Sequence, residues 1–171
     1  CSKQLEQISE TIRQITVMAH YKTYTFSLDD SVRSENVSSV LAAGRLPKPS
    51  YQDHDVAGTG TVIYDKDGKI AVLTCAHIVD FSDTVVTRYS GSDYRPTQFI
   101  RSISCKTGQT IFLNQMAGIT SIEILALNRF ADLAILGQTL SPEQGARIRV
   151  FPYPFGKAKD LEWGSFVYLF G

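Results

Sequence analysis

Two short segments of this chain carry residue types that do acid–base chemistry together. The first, Leu73-Thr74-Cys75-Ala76-His77-Ile78-Val79, places a histidine where an apolar run ends. The second, Phe130-Ala131-Asp132-Leu133-Ala134-Ile135-Leu136, places a carboxylate at the head of another apolar run. An imidazole titrates near neutrality, so it can take a proton from a weak nucleophile and return it. A carboxylate on the other ring nitrogen fixes the tautomer and stabilises the imidazolium. Asp132 needs such a partner, because an unpaired charge in apolar surroundings is costly. Taken singly, a histidine after an apolar strand is most often structural, and an aspartate before one most often caps a turn. Taken in order, the two are of the residue types that make two-thirds of a Ser-His-Asp machine. The third member has no signature here, since neither Gly-Asp-Ser-Gly nor Gly-x-Ser-x-Gly occurs. Ser90 and Ser92 flank Gly91 in a polar turn rather than a strained elbow, and Ser165 falls where a strand should begin. The nucleophile is therefore expected from outside this chain.

The elements that must position the pair read as short strands. Residues 69–74 form a nearly continuous apolar strand leading to His77, and 76–80 turn as a short helix. Residues 56–64 form the preceding strand, with Gly58 and Gly60 where a strand bends or another chain segment approaches closely. Asp65-Lys66-Asp67-Gly68 joins the two as a hairpin turn. Further strands are expected at 84–89, 98–105, 110–114, 121–127 and 133–136. Short strands with turn signals between them predict a sandwich or barrel. Residues 139–153, rich in turn formers, read as a connector, and 166–170 as the opening strand of another unit. One strand cannot close a barrel, so the polypeptide is expected to continue, or a second chain to supply the rest. Upstream, Leu5, Ile8, Ile12 and Ile15 recur at helical steps and predict an amphipathic helix over 2–18. That helix is either a stalk or clamp, or a helix packed on the domain surface. Residues 21–28 suit a strand, and 29–55 read as a loop with one helical turn near 38–43.

Gly58-Thr59-Gly60-Thr61-Val62-Ile63, then Asp67-Gly68, then the His77 segment, then Ala131-Asp132-Leu133-Ala134-Ile135-Leu136 resembles the trypsin-like (chymotrypsin-fold) serine peptidases, closest to the bacterial HtrA-like branch. The segment Trp163-Gly164-Ser165-Phe166-Val167-Tyr168-Leu169-Phe170-Gly171 is similar to that family's strand opening its second barrel. The resemblance covers about 56–171. It implies a mainly β fold, with a first β-barrel over 56–138 and, over 139–171, a connector with the first strand of a second barrel that is largely absent; it says nothing of 1–55, which the residue pattern alone reads as an N-terminal helix and extension. It implies His77 as general base and Asp132 as its orienting acid, in the hydrolysis of peptide bonds. The family's serine and oxyanion-hole amides would lie beyond residue 171. Three features depart from the family. The His–Asp interval is long for the HtrA-like branch and implies an extra hairpin near 90–109. Cys75 replaces a commonly small residue, and no Ile-Val-Gly-Gly activation sequence precedes the Gly-Thr-Gly strand.

Composition narrows the alternatives. Lys plus Arg and Asp plus Glu both number 17, giving no net charge, which argues against nucleic acid as the partner. No apolar run reaches the length that spans a bilayer, and no secretory signal opens the chain. Three cysteines, without CxxC or histidine-spaced pairs, give no structural zinc pattern. A site built on His20, His54 and His77 has no ligand spacing behind it. Neither metal nor cofactor is expected. Cys75 and Cys105 are either a disulfide or two buried thiols. Cys1-Ser2-Lys3-Gln4 looks like the start of a bacterial lipoprotein, or is simply where this stretch of chain begins. Cys1 is therefore the candidate lipidation position, implying membrane attachment in the cell envelope. The expected partners are a peptide or protein substrate and the remainder of the peptidase domain. The competing reading is non-enzymatic: a pseudo-peptidase or surface-anchored binding module.

Overall fold

The computed structural model describes residues 2–44, 46–113, 122–146, 148–157 and 162–170. Cys1 and the expected strand ends at 114 and 121 lie outside them. The elements are α1 (Ser2–Ser9), β1 (Ile12–Thr25), a 3-10 turn (Leu28–Asp30), α2 (Val37–Ala42), β2 (Ser50–Lys66), β3 (Lys69–Thr74), α3 (Ala76–Val79), β4 (Thr84–Ser90), β5 (Pro96–Leu113), β6 (Glu123–Asn128), β7 (Leu133–Thr139) and α4 (Pro142–Gly145). The fold is mainly β. Its strands form one antiparallel seven-stranded sheet in the order β4-β5-β1-β2-β3-β7-β6. Among the described residues no helix is long and apolar enough to cross a membrane.

The chain falls into two compact units: residues 1–17, 56–80 and 110–171 form the first, and residues 18–55 and 81–109 the second. Strands β1, β2 and β5 each run through both.

The first unit holds the β2–β3 hairpin, whose register runs from Thr61↔Leu73 to Lys66↔Lys69. The connection is thus two residues, Asp67 and Gly68, at φ of 54° and 72°. Positive φ at both positions is what a tight primed hairpin turn demands, and Asp and Gly tolerate it. Strand β3 alternates buried and half-buried positions, with Ile70, Val72 and Thr74 inside. It pairs on its other edge with β7 from Lys69↔Thr139 to Thr74↔Ala134. Gly60 lies deep in this unit: a Cβ there would stand 2.5 Å from Ile15 Cδ1 and 2.6 Å from Val72 Cγ1. Ile15 and Val72 are fully buried, so this crossing closes only around a glycine.

The second unit packs Phe26, Val32, Ile100 and Ile103 together, with Tyr24, Val37, Val40 and Cys105 against them. Its β4–β5 hairpin turns through residues 91–95, with Ser90 opposite Pro96.

Four expectations are corrected. The first helix ends at Ser9, where Thr11 turns its N–H and hydroxyl onto the Ile8 carbonyl. Strand β1 then begins at Ile12, and Ile15, Val17, Ala19, Tyr21 and Thr23 are buried in strict alternation. Ile12 and Ile15 fit helical steps as well, but Thr11, Ile12, Ile15, Thr16 and Val17 are β-branched and favour the pleated surface. Residues 50–55, expected in a loop, open β2, and the strands expected at 98–105 and 110–114 are one strand, β5. Residues 166–170 form no strand. They follow a turn in which Gly164 sits at φ 90° and Ser165 Oγ accepts the Glu162 N–H at 3.1 Å, and Phe166, Val167 and Leu169 are exposed.

Candidate functional site

The antiparallel pairing of β3 and β7 assembles the site in the first unit. Because Thr74, at the end of β3, lies opposite Ala134, near the start of β7, the residues following one strand meet the residues preceding the other. The ladder gains one more rung beyond the strands: Ala76 N–H donates to the Asp132 carbonyl at 3.1 Å. Cys75 is extended, and α3 then turns His77 back over this junction. Thr74 Oγ1 donates to the Thr59 carbonyl at 2.8 Å and so ties the end of β3 to β2.

His77 meets Asp132 at two points. The His77 backbone N–H donates to Asp132 Oδ1 at 2.9 Å, and His77 Nδ1 lies 2.7 Å from Asp132 Oδ2. One residue thereby engages both carboxylate oxygens, fixing the plane of the carboxylate against the ring. Asp132 holds this position at φ 52°, a left-handed conformation that aspartate tolerates better than most residues. The His77 amide lowers the Asp132 pKa most, and the His77 ring lowers it further, against a smaller opposing effect of burial. The carboxylate is ionised at neutral pH and accepts only, so Nδ1 carries the ring's proton. Nε2 of a neutral ring is then the lone-pair nitrogen, free to accept a proton. The pair is open: the His77 side chain is 67% exposed and that of Asp132 48%. The apolar surroundings expected for Asp132 belong to the strand that follows it, which carries the core through Ala134 and Leu136, while the Asp132 side chain is half exposed.

A clamp holds the turn ahead of Asp132. Asn128 Oδ1 accepts the Ala131 N–H at 2.9 Å. Arg129 grips Asp80 with two hydrogen bonds, Nε to Oδ2 at 2.6 Å and Nη2 to Oδ1 at 2.9 Å. Asp80 directly follows α3, so this fork joins the element carrying His77 to the turn carrying Asp132. Sequence reasoning missed the clamp; a charged residue just beyond each segment was its only trace. Gly58 belongs to the same surroundings, because a Cβ there would overlap the Ile78 side chain next to His77.

Ser90 ends β4, Ser92 lies in the 91–95 turn of the second unit, and Ser165 is engaged in its own turn. Cys75 and Cys105 are free thiols, half-buried, with no disulfide. His20 pairs with Asp53 at 2.7 Å and His54 packs edge-on against Tyr21, both in the second unit. An open cleft of about 930 Å³ in the first unit is lined by Glu10, Arg13, Thr59, Arg149 and Phe170 among others; neither His77 nor Asp132 lines it. No protein-family model and no curated protein matches this chain.

Proposed function

We propose that this chain carries the base-and-acid half of a trypsin-like serine endopeptidase domain, its strands belonging to the first of two chymotrypsin-like barrels. The observation that carries the reading is the two-point seat of His77 on Asp132 at the β3–β7 junction. A merely structural histidine needs one partner, whereas this arrangement fixes ring plane, tautomer and charge together, as a general base requires. In the proposed reaction, His77 Nε2 takes the proton of a serine hydroxyl as its oxygen attacks the peptide carbonyl. The imidazolium, stabilised by Asp132, gives that proton to the departing amine. Water then hydrolyses the acyl-enzyme by the same route. The serine comes from the remainder of the peptidase domain, in the same polypeptide or in a second chain.

The test is active-site labelling of the natural polypeptide with a fluorophosphonate probe. One serine is expected to label, and His77→Ala to abolish the label. No labelling of any serine, with the His77–Asp132 pair shown intact by NMR, would refute the proposal. It would support the second reading, a pseudo-peptidase or binding module. That reading is favoured by the exposure of both side chains. Envelope attachment through a lipidated Cys1 belongs to the proposal too. Palmitate incorporation lost on Cys1→Ser is the expected result, and incorporation unchanged by that substitution would contradict it.

A further inference from the structure

Cys75 stands two residues before His77 and has no part in the chemistry above. Its Sγ, a ring nitrogen of His77 and a carboxylate oxygen of Asp132 all lie within 4.8 Å of one another. The thiol is free, and it makes no capping hydrogen bond to α3 although Cys75 occupies the position that would allow one. Thiolate, imidazole and carboxylate together are a donor set suited to zinc and its thiophilic neighbours rather than to magnesium or calcium. Around a tetrahedral zinc ion, with bonds of about 2.3 Å to sulfur and about 2.0–2.1 Å to nitrogen or oxygen, the donors stand about 3.3–3.6 Å apart. The widest separation here needs to close by about an ångström, and the 2.7 Å His77–Asp132 contact to open slightly. Rotation of the three side chains, His77 exposed and Cys75 and Asp132 half-buried, supplies both movements. The third ligand lies far along the chain from the other two, which is why no spacing in the sequence announced the cluster.

We propose that Cys75, His77 and Asp132 bind a thiophilic divalent cation of the zinc class, with solvent in the remaining position. His77 ligates through Nδ1, the nitrogen nearest Asp132. On binding, the Cys75 thiol proton and the Nδ1 proton pass to solvent, and the ion takes their place. On the peptidase reading, on which this consequence alone rests, the ion occupies the carboxylate that would stabilise the imidazolium. Metal binding and turnover then exclude each other, and the ion acts as a reversible off-switch.

The test is titration of the 171-residue chain with cobalt(II) chloride, followed by absorption. One equivalent is expected to bind with a near-ultraviolet thiolate-to-cobalt charge-transfer band, and zinc chloride to displace it. Cys75→Ala should erase the band and weaken binding by at least about tenfold, while Cys105→Ala and Cys1→Ser leave both unchanged. Asp132→Asn, which keeps the thiol, should retain a band but require more metal to reach it. No saturable band, a band that survives Cys75→Ala, or unchanged affinity in Asp132→Asn would each overturn the site. Binding is read without serine or turnover, so a failed titration leaves the peptidase reading intact, and failed serine labelling leaves the metal site intact.

Discussion

At the scale of residues, the central object is a carboxylate whose two oxygens are both taken by one histidine. The largest single contribution to the pKa lowering at Asp132 comes from the His77 backbone amide, which survives any change of side chain. Carboxyl-carbon NMR should therefore place the Asp132 midpoint below the ordinary aspartate value of about 3.9. His77→Ala should raise it without restoring it fully; an unchanged or fully restored midpoint would contradict the two-point contact. The sign for stability follows. A lowered folded pKa means that this contact contributes fully above the ordinary value and is lost as pH falls through the lower one, so nothing is lost near neutrality. The proximity of the pair was legible in the sequence, from the order of the two segments and their resemblance taken together, and the structure brings the two side chains to 2.7 Å. The left-handed backbone at Asp132 and the amide bond to Oδ1 were not, since both depend on how two distant turns meet. The apolar surroundings expected of Asp132 were drawn from neighbours in sequence; in space, alternate residues of β7 face the core and Asp132 precedes the strand.

At the scale of elements, the site depends on the register of β3 against its two partners. Gly60→Ala should push a methyl group into the fully buried Ile15 and Val72 and destabilise by about 1–3 kcal/mol in denaturant unfolding. Gly68→Ala should cost about 1 kcal/mol or more, through its left-handed backbone and a Cβ that would stand 3.2 Å from the Leu140 carbonyl oxygen. A neutral result for Gly60→Ala would contradict the packing described. The Arg129–Asp80 fork is mostly exposed on the arginine side, so Arg129→Ala should lower stability by less than about 1 kcal/mol. Its larger effect should be local, with faster exchange of the Ala76 and His77 amides that Asp132 accepts; unchanged exchange would remove the clamp from the site. The hairpin at Asp67-Gly68, strand β3 and α3 were readable because turn chemistry and apolar patterning agreed there. The first helix was overextended because Leu5, Ile8, Ile12 and Ile15 satisfy helical steps while 12–25 alternates in burial, and only a neighbouring strand decides between the two periods. The merging of two expected strands into β5 has the same cause: Lys106, Thr107 and Gly108 read as a break, yet they continue a ladder.

At the scale of the molecule, three long strands thread two compact units, and the histidine–aspartate pair belongs to one of them. A mainly β, many-stranded antiparallel fold was legible from short strands and turn signals; the division into units was not, because it follows points partway along β1, β2 and β5. Separated by 55 residues, His77 and Asp132 meet only through the β3–β7 pairing. The proposed function rests on that meeting, so the most direct measurement is peptide hydrolysis by the natural polypeptide, wild type against Asp132→Asn, with folding checked by circular dichroism. Loss of the carboxylate charge should leave the fold intact and lower kcat by about 10⁴-fold, through the wrong tautomer at His77. A decrease of less than about tenfold in a folded variant would show that Asp132 does not serve His77 in catalysis.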